Sequence, residues 1–325
     1  MTTQAQPIVT DRSYANELDL QAIADLINAC ELVDQLEQGA SVEELQLRFA
    51  DPDFDLAHDL RLWEDAQGSL IGSGWMWIPP ATDVQDGYLG FKVHPQFRNR
   101  GIEVQILTWA EARMRSIALA SQRPIHLRAG AREHQAERIA LLEQQGFTIN
   151  RYFYDMALPL SEPLPALQLP AGYGVRSLHS NEVEAWVELF NQSFIDHWNF
   201  HPVTLEQRQR WMSDPDYCAD LDLVAVSPEG TLAAFCHGAI SSKDNARTGR
   251  SEGWISGLGT RRGFRRIGLG RAMLLCGLAQ LQAKGIETAL LGVDSQNPSG
   301  ALRLYESVGF RKRYTNITYC KVLVN

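Results

Sequence analysis

Arg265-Arg266-Ile267-Gly268-Leu269-Gly270-Arg271 joins a short, glycine-interrupted strand, Trp254-Ile255-Ser256-Gly257-Leu258-Gly259-Thr260, to an amphipathic helix, Ala272 to Lys284, that Gly285 ends. The first N–H groups of a helix have no partner inside it, and the helix dipole is positive at that end. Glycines there let a ligand come close to the backbone. Such a turn suits an anion, most simply a phosphate, and Arg261, Arg262, Arg265, Arg266 and Arg271 add positive charge. Taken alone, the seven residues also read as a tight turn with solvated arginines.

The chain beyond Gly285 narrows the choice. Ile286 to Val293 reads as a second buried strand. Then comes Asp294-Ser295-Gln296-Asn297-Pro298-Ser299-Gly300-Ala301-Leu302-Arg303-Leu304-Tyr305-Glu306-Ser307-Val308-Gly309-Phe310. Asn297 suits an N-cap and Pro298 the first helical position. Gly309 ends this helix and Phe310 starts the next strand. No Gly-Lys-Ser/Thr comes after the arginine turn, and the third glycine of a dinucleotide fingerprint is missing.

The two segments together resemble the GNAT superfamily of acetyl-CoA-dependent N-acyltransferases. Its pattern is an apolar strand, Arg/Gln-x-x-Gly-x-Gly/Ala at a helix start, then Asn-x-x-Ala-x-x-x-Tyr-x-x-x-Gly-Phe. The anchors stand here as Arg265, Gly268, Gly270, Asn297, Ala301, Tyr305, Gly309 and Phe310. The resemblance implies an α/β (α+β) fold, a mixed but mostly antiparallel sheet flanked by helices, with acetyl-CoA as cosubstrate. It implies that Leu258, Gly259 and Thr260 lie along the pantetheine arm. Arg265, Arg266, Ile267, Gly268, Leu269, Gly270 and Arg271 would surround the pyrophosphate, and Asn297, Ser299, Gly300 and Arg303 would extend the cofactor site. Tyr305 would be the general acid for the CoA thiolate; it also reads as a helix tyrosine half-buried against the sheet. Members of the superfamily often place a glutamate base on the motif strand. Ser256 and Gly257 stand there instead, which leaves Glu252 or Asp294 as the possible base, with His237 or ordered water as other routes.

The chain repeats itself. Phe91 to Glu103 lies over Leu258 to Gly270, and Leu141 to Phe147 over Leu304 to Phe310. Gly68-Ser69-Leu70 lies over Gly230-Thr231-Leu232, and Asn28 over Asn191. The expected organisation is two tandem GNAT domains, 1–158 and 172–325, joined by a proline-rich linker, 159–171, in which repeated proline blocks helix and central strand. The halves differ at the chemistry. Glu103 replaces Gly270, Leu142 replaces Tyr305, and Arg132-Glu133-His134 replaces the Asn297 region. A carboxylate at a helix N-terminus occupies the electropositive site itself. The first half is therefore expected to be catalytically degenerate. This unequal tandem is similar in architecture to the mycothiol synthases, a branch of the superfamily, from which no substrate is carried over.

The acceptor pocket is expected on the first helices of the second half. Asn191, Phe194, His197 and Trp198 lie in a connector rich in aromatic and imidazole groups, with His237 on a neighbouring strand. The same aromatics also read as packing residues. A net charge of -9 argues against general nucleic-acid binding. Five scattered cysteines without Cys-x-x-Cys read as reduced thiols, with neither disulfide nor metal site. No basic-then-apolar leader and no membrane-length apolar run is present, so a cytoplasmic, membrane-free protein is expected. The expected function is acetyl transfer to a primary amine of a small molecule. The alternatives are acetylation of a protein N-terminus or lysine, and a CoA-binding sensor or scaffold without turnover.

Overall fold

A computed structural model describes residues 9–51, 54–121 and 123–323. Most of the expected loose start, Met1 to Thr10, lies outside the described residues. The chain forms two compact units, Met1–Arg151 with Ile317–Asn325, and Tyr152–Asn316.

In the first unit the order is β1 (Thr10–Ser13), α1 (Leu18–Asp34), α2 (Val42–Phe49), α3 (Leu56–Asp59), β2 (Leu60–Glu64), β3 (Leu70–Trp77), β4 (Gln85–Val93), α4 (Ile102–Ser121), β5 (Ile125–Arg132) and α5 (Ala136–Gln144). β6 (Thr148–Pro159) then carries the chain into the second unit. There the order is β7 (Gly174–Ser177), α6 (Val183–Phe194), α7 (Leu205–Met212), β8 (Asp222–Val226), β9 (Leu232–Ala239), α8 (Ser242–Thr248), β10 (Glu252–Thr260), α9 (Leu269–Ala283), β11 (Thr288–Asp294) and α10 (Ala301–Val308). β12 (Arg311–Leu323) begins in the second unit and ends in the first.

Both units have the same sheet. β1 to β4 pair antiparallel in sequence order and β5 joins β4 parallel. β7 to β10 pair antiparallel in order and β11 joins β10 parallel. The closing strands are exchanged between the halves of the sequence. The second part of β6 pairs antiparallel with β11, from Thr288↔Pro159 to Asp294↔Phe153. The end of β12 lies beside β5. The units therefore differ from a simple division at 158 and 172. The strand runs on through Pro159, and Leu160 after it is buried and fixed by its N–H to Glu287 O at 2.8 Å and by Gln282 Nε2 to its O at 2.7 Å.

The repeat extends to single hydrogen bonds. Asn28 holds the N–H and C=O of Ala40, twelve residues on, and Asn191 does the same to Val203. Ser41 with Glu44 and Thr204 with Gln207 are both capping boxes at the starts of α2 and α7. Asn99 and Gly101 repeat the left-handed backbone of Arg266 and Gly268, with φ of 59° and 88° against 68° and 88°.

Apolar alternation along the second sheet sorts side chains to two faces. Cys236, Ala234 and Ile255 pack under α9 with Met273, Leu274 and Leu278. Phe235 faces the other way, among Trp186, Leu189 and Phe194 of α6. The sheet between these layers positions the site.

Candidate active site

The ladder between β10 and β11 consists of Glu252↔Thr288, Gly253↔Ala289 and Trp254↔Leu290. Beyond Trp254 the strands part. On the other side of β10 the register with β9 shifts between Ile255↔Gly238 and Gly257↔His237, so Ser256 is an extra residue. Such a bulge bends its strand and breaks local pairing. Ser256 and Gly292, both inside strands, are exposed as a result. The edge of β10 that runs from Ser256 through Leu258, Gly259 and Thr260 is thus open to an extended ligand.

The strand leads into the arginine turn. The first N–H that α9 bonds internally is that of Ala272, to Gly268 O at 3.1 Å. Leu269, Gly270 and Arg271 precede it and have no helical carbonyl to reach. Gly268 holds φ at 88°, a left-handed backbone that disfavours any side chain. At Gly270 a Cβ would stand 3.3 Å from Thr260 Oγ1, so a side chain there would crowd the mouth between strand and helix. Open donors, a positive helix end and a backbone free of side chains fit a pyrophosphate.

Most of the arginines have other work. Arg265 donates Nε to Thr260 O at 3.1 Å, Nη1 to Asp196 at 2.9 Å and Nη2 to Ser193 O at 2.9 Å. Arg262 pairs with Asp196 too, and Arg261 with Glu188 at 2.5 Å. The hydrogen bonds of Arg262 and Arg265 hold the Asp196 carboxyl down to about 2. Arg271 donates to Ser307 Oγ at 2.7 Å, tying α9 to α10. Arg265 is therefore a brace for the turn, fastened to the end of α6. Among the described residues, Arg266 and Arg303 are exposed and make no such bond, and these two can meet phosphates. Asp196 had no sequence signal of its own; its role exists only once α6 reaches the turn.

Tyr305 lies on α10, 8% exposed, with its ring edge-on to Phe310 at 6.0 Å. Burial, with the neighbouring Cys236, pushes its phenol up, so it stays protonated at neutral pH. A buried, protonated phenol has a proton to give. Asn297 is not the N-cap that the sequence suggests. Its Oδ1 accepts the N–H of Ser299 at 2.8 Å and the Ser299 hydroxyl at 2.5 Å, forming a turn, and α10 starts after Gly300 at φ 80°. The local side-chain bond competes successfully with helix initiation at Pro298.

The carboxylates that the sequence offers as bases are engaged elsewhere. Glu252 lies in the paired stretch of β10, bound by Arg250 at 3.0 Å and Arg313 at 3.2 Å. Asp294 is 3% exposed at the end of β11, where its Oδ1 accepts the N–H of Gln296 at 2.9 Å.

On the α6 face, Phe194 stacks on Phe190 at 4.7 Å and meets His197 at 5.5 Å. His197 Nδ1 donates to Trp198 O at 3.1 Å, and Trp198 reaches Phe153 of β6 at 6.0 Å. Asn191 is engaged within the chain: both ends of its amide close the loop onto Val203, as Asn28 does onto Ala40 in the other half. His237 stands apart from that loop, beside the bulge.

The first unit lacks this opening. Its parallel ladder runs from Gln85↔Ile125 to Leu89↔Ala129, two pairs further than in the second unit, and its β3–β4 register has no shift. Where the strands do end their pairing, Arg138 donates to Gly130 O at 2.7 Å and to Phe91 O at 3.3 Å, with its guanidinium 3.8 Å over the Phe91 ring. Burial lowers its pKa to about 10. In the register that sets Leu142 over Tyr305, Arg138 stands over Ala301. Glu103 accepts the Asn99 N–H at 3.1 Å and so occupies its own helix start. Among the described residues no cluster suits a metal ion, and no helix is long and apolar enough to cross a membrane.

The model of the Acetyltransferase (GNAT) family matches residues 183–310. The chain is 30% identical to a mycothiol acetyltransferase of Salinispora tropica, over 95% of each chain. It is also 30% identical to that of Thermobispora bispora, over 76% of this chain and 79% of the relative. In fold it is similar to a GCN5-related N-acetyltransferase from Sphaerobacter thermophilus, with TM-score 0.76, 24% identity, and 97% and 95% of the two chains covered. A tandem GNAT protein from the clavulanic acid biosynthesis pathway gives TM-score 0.72 at 16% identity, covering 97% of this chain and 98% of that one.

Proposed function

Because the chain belongs to the GNAT family of acetyltransferases, and is thus an N-acetyltransferase that uses acetyl-CoA, we propose that its second unit does the catalysis, on a primary amine of a small molecule. The observation that carries this reading is the asymmetry of the two clefts. One is opened by a bulge and ends at a helix start without side chains. The other is stapled by Arg138 and closed by Glu103.

Acetyl-CoA supplies an acetyl group activated as a thioester. Leu258, Gly259 and Thr260 offer a strand edge to its extended arm. The N–H groups at the start of α9, with Arg266 and Arg303, hold its phosphates. Tyr305 gives a proton to the departing sulfur. The aromatic loop from Phe194 to Trp198 covers the acceptor side and suits a small amine better than a polypeptide. The relatives' name supports this, since mycothiol is a small molecule.

The reading is tested by measuring free-thiol release from acetyl-CoA with glucosamine, ethanolamine and a lysine-bearing peptide. Amine-dependent release with the small acceptors is expected. Release with the peptide alone would make the protein a polypeptide acetyltransferase. Tight acetyl-CoA binding without release would make it a sensor.

A further inference from the structure

The wall of the second unit behind the bulge contains a charged cluster that the cofactor site does not use. Asp222, at the start of β8, is fully buried. Arg208 of α7, also fully buried, forms an ion pair with it, and its guanidinium lies 3.8 Å over the Trp186 ring. The Tyr217 hydroxyl donates to Asp222 Oδ2 at 2.8 Å. The other carboxylate oxygen, Oδ1, is left for His237, whose Nδ1 lies 3.6 Å away. Neither atom is solvent-accessible and neither has a hydrogen-bond partner, so the two face each other as an ion-pair contact just beyond hydrogen-bond distance. The His237 side chain as a whole is 21% exposed, and with Nδ1 covered, that exposure falls on the rest of the ring, which includes Nε2.

Register then fixes where the imidazole stands. On β9, His237 is opposite Asp222 on one side and opposite Gly257 on the other. Gly257 is the residue at which pairing resumes after the bulge. A Cβ built on Gly257 would meet Phe235 at 3.1 Å and His237 Cβ at 3.8 Å, so these residues share the α6 face. That is the face of the aromatic loop, and so the side from which an acceptor arrives. The Tyr217 ring lies nearly parallel to the imidazole, 6.2 Å away and 19° inclined, and steadies its plane.

We propose that His237 is the general base of the reaction, and that Asp222, held by Arg208 and Tyr217, is its positioning residue. This rests on the acetyl-transfer reading above. A buried carboxylate on Nδ1 fixes the tautomer and leaves Nε2 as the acceptor. Burial alone would raise the Asp222 pKa, but His237, Arg208 and the Tyr217 hydroxyl together hold it below the usual carboxylate range, so it remains ionised. An amine acceptor arrives as an ammonium ion. His237 Nε2 takes one proton and passes it to solvent. The freed nitrogen bonds to the acetyl carbon as the carbon–sulfur bond breaks. Tyr305 protonates the sulfur and is reprotonated by the second ammonium proton. The sum is ammonium plus acetyl-CoA to acetamide plus CoA thiol and one proton. Glu252 and Asp294 are held in other bonds, whereas His237 stands beside the bulge with its Nε2 side uncovered.

The groups facing His237 are Asp222 of β8, with Arg208 of α7 behind it, and Tyr217; β10 presents only the Gly257 backbone. The test is His237→Gln in the full chain, with turnover measured against pH for two kinds of acceptor. Ethanolamine and glucosamine must lose a proton to react. Hydroxylamine is already neutral at pH 7. The variant should lose about 10²–10⁴-fold in kcat/KM with the protonated amines. It should lose far less with hydroxylamine, bind acetyl-CoA as the wild type does, and with the protonated amines follow the fraction of free amine as the pH rises. Equal losses with both kinds of amine, or nearly full activity with either, would overturn the assignment while leaving acetyl transfer intact. A wild-type protein that releases no thiol with any amine would remove the acetyl-transfer reading and the base with it. His237→Asn, which keeps a polar group near Asp222, checks that the fold survives; a melting temperature equal to wild type with the same selective loss supports the base, and a selective loss that disappears refutes it.

Discussion

In matched positions of α5 and α10, Leu142 is an apolar plug and Tyr305 a phenol, and only the second has a proton to offer. Tyr305→Phe keeps the ring that meets Phe310 and removes that proton. Turnover should fall by about 10²–10⁴-fold with acetyl-CoA affinity near wild type. Stopped turnover with a calorimetric titration on the same protein measures both. Because burial pushes the phenol up, its ionisation should not limit the rate anywhere near neutral pH, and a decline at pH 7–8 assigned to this group would contradict the role. At Gly270 the expectation is a loss of binding with the fold retained. Gly270→Glu puts a carboxylate at the mouth of α9, 3.3 Å from Thr260 at its Cβ, where the pyrophosphate belongs. Its acetyl-CoA affinity should drop at least 100-fold in calorimetry. Gly268→Ala acts differently: it forces a side chain to φ 88° and should cost about 1–2 kcal/mol of stability in a denaturant melt.

At the scale of elements, α4 and α9 begin with the same backbone turn, and their contents differ. Glu103 satisfies an N–H of its own turn, and Arg138 of α5 bridges the carbonyls of β4 and β5. At the matched positions of the second unit stand Gly270 and Ala301, which have no side chain that could do either. One acetyl-CoA per chain is therefore expected in a calorimetric titration. Two sites of comparable affinity would refute the difference between clefts. The double variant Glu103→Gly with Arg138→Ala should open the first cleft enough for weak second-site binding, without turnover there, since Leu142 remains.

At the scale of the whole chain, the two closing strands are the surprise. β6 and the residue after it bring Met156 and Leu160 into the core of the second unit, although both come before residue 172, where the second half was expected to begin. Burying such a side chain stabilises by roughly 1.5–3 kcal/mol each. A fragment cut at the linker, 172–325, lacks them, and leaves β11 with an unpaired edge. The fragment 152–316 keeps them. The second should fold cooperatively and bind acetyl-CoA, and the first should aggregate or melt without a transition. Thermal melts and calorimetry on both fragments decide it.

The repeat, the turn that opens α9, and the strand and helix after it were legible in the sequence, because each is a local signal. Glycines at positive φ, apolar spacing and capping residues act within a few positions of themselves. The same locality made Asn28 and Asn191 visible as counterparts, and the structure gives both the same bond, a clamp on a residue twelve on. Tertiary structure alone decided the rest. Which strand closes each sheet depends on pairing between segments more than a hundred residues apart. The brace of Arg265 on Asp196, the staple of Arg138 and the setting of His237 on Asp222 all join residues from different elements. No spacing in the chain encodes such contacts, because burial and strand register, and not sequence neighbours, fix which charges meet.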